Sequence, residues 1–96
     1  MLKGLFPKGG DHSKEGLGGM IVRYGGVVED ELSLDTDYLI VGVIDEKDVT
    51  DPSLAARAAI AEGAKAYEDA RHYYVTVLTI DKFFKYMNRV GTTVAP

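Results

Sequence analysis

The sequence predicts an α/β domain: a parallel sheet with helices packed on its faces. Three observations carry that prediction. Tyr38-Leu39-Ile40-Val41 is a continuous apolar run stopped by Gly42, the pattern of a strand covered on both faces. Strand-like runs alternate with segments whose apolar residues are spaced by three and four. Between a helical stripe and a β-branched pair stands Gly25-Gly26, where Gly25 can take φ > 0 to close a helix. Gly26 then lets the chain reverse without a Cβ clash.

Each element follows from its residues in order. Met1 to Phe6 reads as the end of a strand, and Pro7-Lys8-Gly9-Gly10 cannot continue it. A helix follows, capped by Asp11 or Ser13, with Leu17, Met20, Ile21 and Tyr24 as its apolar stripe. Gly16, Gly18 and Gly19 each weaken it by about 1 kcal/mol relative to alanine, so packing must hold it. Val27-Val28 reads as a short strand, Glu29-Asp30-Glu31 as its solvent end, and Tyr38 to Ile44 as the next strand. After an acidic loop, Asp45 to Asp51, Thr50 or Asp51 caps a long helix running to about His72, with Pro52 in its first turn. Ala55, Ala59, Gly63, Ala66 and Ala70 form a small-residue stripe along it, which buries little area, so part of the helix is expected to project beyond the core. Tyr73 to Leu78 is a β-branched and aromatic strand. Thr79 then caps a last helix on the stripe Ile80, Phe83, Phe84 and Met87, ended by Val90-Gly91. Residues 1–91 form one domain and 92–96 a C-terminal tail.

Bulk properties bound the function. Ninety-six residues suffice for a single core. The absence of cysteine excludes disulfides, a thiol nucleophile and thiolate metal sites. No apolar run reaches the roughly 18 residues of a membrane span, so no membrane partner and a cytoplasmic address are expected. A net charge of −4 argues against a sequence-independent DNA coat without excluding a local phosphate site.

Gly25-Gly26-Val27-Val28, then Leu32-Ser33, then Thr36-Asp37-Tyr38-Leu39-Ile40-Val41-Gly42 resembles the centre of a BRCT domain. The version most similar is the one at the C-terminus of bacterial NAD-dependent DNA ligases. Val77-Leu78-Thr79-Ile80-Asp81-Lys82-Phe83-Phe84 resembles that family's last strand and helix, with Phe83 in the place of the helix-three aromatic. On this resemblance Gly25, Gly26, Thr36, Tyr38, Gly42 and Phe83 define the fold. The resemblance implies a three-layer α/β domain: a four-stranded parallel sheet of order 2-1-3-4 flanked by three helices, its first strand short or truncated here. It also implies an adaptor in DNA replication or repair rather than an enzyme, without cofactor, binding a protein partner, a phosphopeptide or a phosphorylated DNA end. In a bacterium that would place the chain near the nucleoid. The sequence departs from the family pattern at three points. Lys3 stands where the family has a hydroxyl residue before Gly4; helix two lacks the usual lysine at its start, Arg57 being the nearest base and Lys65 lying two turns on; and the segment between Gly42 and Thr76 is longer.

Several residue groups have chemistry to weigh. Lys8-Gly9-Gly10-Asp11-His12-Ser13-Lys14 reads first as a flexible turn; its alternative is an anion contact at a helix N-terminus, aided by Lys3, Lys8 and Lys14. Lys3, Gly4, Lys8, Ser13, Lys14, Arg57 and Lys65 are therefore the candidate phosphate- or partner-binding residues. Asp45, Glu46, Asp48 and Asp51 lack calcium-loop spacing and read as a solvated loop, so no metal is expected. His12 and His72 have no nucleophile at a recognisable elbow and form no catalytic pair. Tyr67, Tyr73 and Tyr74 read as core packing plus one exposed ring, with an aromatic contact surface as the alternative. Two other functions fit the same sequence: a homodimerisation module, and a nucleotide- or phosphometabolite-binding domain of a larger enzyme.

Overall fold

A computed structural model describes residues 1–94, with side chains described through Met87. The chain is an α/β domain in which three parallel strands are flanked by three helices. The elements are β1 (Leu2–Lys3), α1 (Lys14–Arg23), β2 (Tyr38–Val41), α2 (Leu54–His72), β3 (Thr76–Thr79) and α3 (Ile80–Val94). The sheet order is β1-β2-β3, so β2 is central. Leu2 pairs with Ile40 in β1–β2, and Ile40 with Leu78 in β2–β3.

Alternation along the strands divides the core into two layers. Leu39 and Val41 face α2 and pack with Met1, Ala66 and Ala70. Ile40 faces the other way and packs with Leu2, with Leu17 of α1 and with Phe83 of α3. The helices are therefore split, α1 and α3 on one face and α2 on the other. When successive parallel strands are added in one direction, right-handed crossovers keep their helices on one face. Here residues 26–37 resolve the conflict by taking the chain past the sheet. Val28 packs in the Leu2 layer and Leu32 in the Met1 layer, so the chain changes face between them.

The expected Val27-Val28 strand is not seen. Among the described residues there is no fourth strand, and Val27 is 78% exposed. The Gly25-Gly26 corner thus ends α1 without joining two ribbons. Other bounds also shift. β2 stops at Val41, because Gly4 at φ +108 turns the chain and Leu5 forms an isolated antiparallel bridge with Val43. Asp51 takes φ +48, so α2 begins later than expected and Ser53 caps it by accepting from the Ala56 N–H at 3.1 Å. Its first turn does project, with Leu54 84% exposed. Tyr73 caps α2 and Tyr74 follows it, so neither belongs to β3; both are exposed where one exposed ring was expected. Tyr74 takes φ +60 and the Val75 N–H reaches back to the Ala70 carbonyl at 2.8 Å, a Schellman-type helix end without the usual glycine. Helix α3 continues past Gly91 to Val94, so the expected tail is helical as far as that residue, and Ala95 and Pro96 lie outside the described residues. Among the described residues no helix is long and apolar enough to cross a membrane.

Candidate functional site

Of the candidate residues, Lys3 and Gly4 sit at the carboxyl end of β1. There three glycines meet. A Cβ on Gly63 of α2 would lie 2.5 Å from the Gly4 Cα, and one on Gly4 would lie 3.0 Å from the Gly42 nitrogen. This contact brings α2 against the end of β1, where the Lys3 ammonium bonds to the Glu62 carboxylate. That hydrogen bond, then the Lys3 charge, holds the Glu62 carboxyl below the usual glutamate range, and the Lys14 charge adds to the effect.

Ser13 is 2% exposed and fully engaged: its Oγ accepts from the Gly16 N–H at 3.0 Å and donates to the Gly10 carbonyl at 2.8 Å. It caps α1, as expected, and its hydroxyl is turned inward. Lys8 lies in the exposed loop ahead of α1. Arg57 is turned to Glu46, with Nε 3.8 Å from Oε1, both side chains well exposed. Lys65 is exposed one turn beyond Glu62. The structure therefore brings Lys3 and Gly4 together at this corner, with Lys3 paired to the exposed Glu62 and Lys14 acting on that carboxylate through its charge alone. It does not gather Lys8, Ser13, Arg57 and Lys65 with them.

The residues expected to define the fold make the following contacts. Gly25 takes φ +88 beyond the cap of α1, and a Cβ on Gly26 would meet Ile21 Cγ2 at 2.6 Å. Thr36 locks the connection to β2: its Oγ1 donates to Glu29 Oε2 at 2.8 Å and accepts from the Ser33 N–H at 2.9 Å. A Cβ on Gly42 would strike the Leu5 carbonyl. Phe83 is buried beneath α1, edge-on to Phe84 at 5.6 Å between centroids.

Sequence reasoning missed a groove of about 660 Å³ at the amino ends of the strands. Helices α1 and α3 are bridged near their N-termini by His12 stacked on Phe84, centroids 4.6 Å apart. Toward their C-terminal ends the groove opens between Tyr24 and Tyr86, over Ile40, Leu78 and Phe83. Tyr38 stands at its edge, its ring centroid 6.2 Å from that of Tyr86. Glu29, Asp35 and Asp37 line the same opening. The Met1 ammonium donates to the Tyr38 carbonyl at 3.1 Å, and burial lowers its pKa against the opposing pull of Glu29. The sequence signal was an aromatic residue ending the α1 stripe, with acids on both sides of the next connection. A second, more open crevice lies at the carboxyl ends, between Pro7, His12, Gly42, Tyr67 and Lys82.

Among the described residues no three His, Asp or Glu side chains converge to hold a metal ion. Tyr67 instead carries Arg71 over its ring at 5.8 Å. Compared with family models, with curated proteins and with solved structures, the chain has no match.

Proposed function

We propose that the chain is a non-catalytic interaction module of BRCT-like type, in a protein that acts on DNA, and that it docks a protein partner. One observation carries this reading: α1 and α3 share one face and α2 the other, although the strands run β1-β2-β3 in line. A sheet of order 2-1-3-4 has that distribution, because its second strand lies outside the first. Residues 26–37 pass near Met1 and Leu2 as such a connection must. In this reading Val27-Val28 adds to the outer edge of β1, where the Leu2 N–H and carbonyl face away from β2.

A protein partner is favoured over a DNA-end phosphate by the chemistry of the corner. Ser13 spends its hydroxyl internally, and Lys3 is paired to Glu62. A 5′-phosphorylated duplex and its unphosphorylated twin, titrated by fluorescence anisotropy, should bind equally weakly. Preference for the phosphorylated duplex would overturn the choice of partner. Slow amide exchange at Leu2 and cross-strand contacts from Val28 are expected if the fourth strand forms. Retention of mononucleotides, or a doubled mass in light scattering, would favour the enzyme-domain or dimer alternatives instead.

A further inference from the structure

We propose that the groove between α1 and α3 receives an arginine side chain from a basic segment of a partner protein. The proposal rests on the reading of the chain as an interaction module and is independent of the BRCT resemblance. Three tyrosines, Tyr24, Tyr38 and Tyr86, line the groove with their rings partly in solvent. Tyr38 and Tyr86 are tilted at 41°, so neither ring face is covered by stacking on the other. Ring faces attract cations, and a guanidinium lies flat against them.

Charge makes the choice specific. Glu29, Asp35 and Asp37 line the same opening; among the described residues no lysine or arginine forms an ion pair with them, and the Met1 ammonium in the same lining is held by the Tyr38 carbonyl. Glu29 is held in place through Oε2 by Thr36 and Ser33, which leaves Oε1 for a donor. Arginine fits better than lysine because its fork of donors can meet a carboxylate while its plane stacks on a ring. A volume of about 660 Å³ exceeds one side chain, so neighbouring residues of the segment enter as well, over the apolar floor of Ile40 and Leu78. The net charge of −4 steers a basic partner toward the chain.

The test uses a capped, fluorescein-labelled peptide with two arginines among alanines, followed by anisotropy and by amide shifts. Replacing both arginines with citrulline, the neutral isostere, should weaken binding about tenfold or more, with lysine in between. Tyr86→Ala should weaken it about three- to fivefold, with circular dichroism unchanged. Tyr24→Ala is the second variant, since its ring is 60% exposed and little folding depends on it. Asp35→Asn with Asp37→Asn should flatten the salt dependence. Equal binding of the citrulline peptide, or no effect of either tyrosine variant, overturns the proposal. Amide shifts confined to α2 overturn the groove while leaving the module reading intact, whereas retained mononucleotides would remove that reading by itself.

Discussion

The two ends of the sheet differ in how their charges are employed. At the carboxyl ends, Lys3 is bound to Glu62, Ser13 closes its own helix, and three glycine backbones pack together beside an open crevice. At the amino ends, three carboxylates and three tyrosines surround a cavity without a paired cation among the described residues. The first end has the residue types expected of a binding site, and two of them, Lys3 and Ser13, are already satisfied by neighbours. The second has less suggestive residues, of which Glu29 is held by Thr36 and Ser33 while Asp35 and Asp37 have no ion pair among the described residues. A charged residue is available to a partner only after the fold has left it without one of its own.

Substitutions can break or sharpen this contrast. The largest effect belongs to Gly63→Val, whose Cβ would have to displace Gly4 backbone. A loss of about 3 kcal/mol is expected in urea unfolding, since backbone cannot yield as a side-chain end can. Stability close to that of the parent would mean the corner is not closed. Ser13→Ala removes a buried cap and should cost about 1 kcal/mol, with fraying of α1 seen by amide exchange. Thr36→Val tests the other end: it removes one of the two hydroxyls that hold Glu29 and should cost about 0.5–1 kcal/mol in the same assay.

Glu62→Gln is smaller and depends on pH. Because the folded-state pKa of Glu62 is lowered, its pair with Lys3 contributes stability above the ordinary value of 4.5, lost as pH falls below that value through the folded one. The variant should therefore show a shallower loss of melting temperature with acid; an unchanged acid slope would mean that the pair is not formed. With the Glu62 side chain 60% exposed, the effect at neutral pH is slight. Smallest of all, Tyr86→Ala should leave stability within about 0.5 kcal/mol of the parent, because its ring lies at the groove and not in the core. A larger loss would make the tyrosine a packing residue and weaken the contrast.

Much of the fold was legible because its signals are local. The continuous run Tyr38–Val41 became the central strand, with Leu39, Ile40 and Val41 buried. The stripe containing Leu17 became α1, Ser13 capped it, and Thr79 capped α3 by accepting from the Lys82 N–H at 3.2 Å. The expected strand segments that are not seen share a cause. Val27-Val28 has strand-forming residues, and Tyr73-Tyr74 likewise, yet pairing depends on a neighbour that propensity does not supply. The candidate site was less legible still. Lys3, Gly4, Lys8, Ser13, Lys14, Arg57 and Lys65 were chosen by residue type, and only the fold shows Lys3 facing Glu62, Arg57 facing Glu46 and Ser13 turned inward.

By itself the sequence determined where the helices and the buried strand lie, because periodicity, caps and left-handed glycines act over a few residues. Only the tertiary structure decided which face each helix covers, that three distant glycines meet, and which charges are left facing water. Those outcomes depend on contacts such as Lys3 with Glu62, separated by 59 positions in the chain, and no local pattern encodes them.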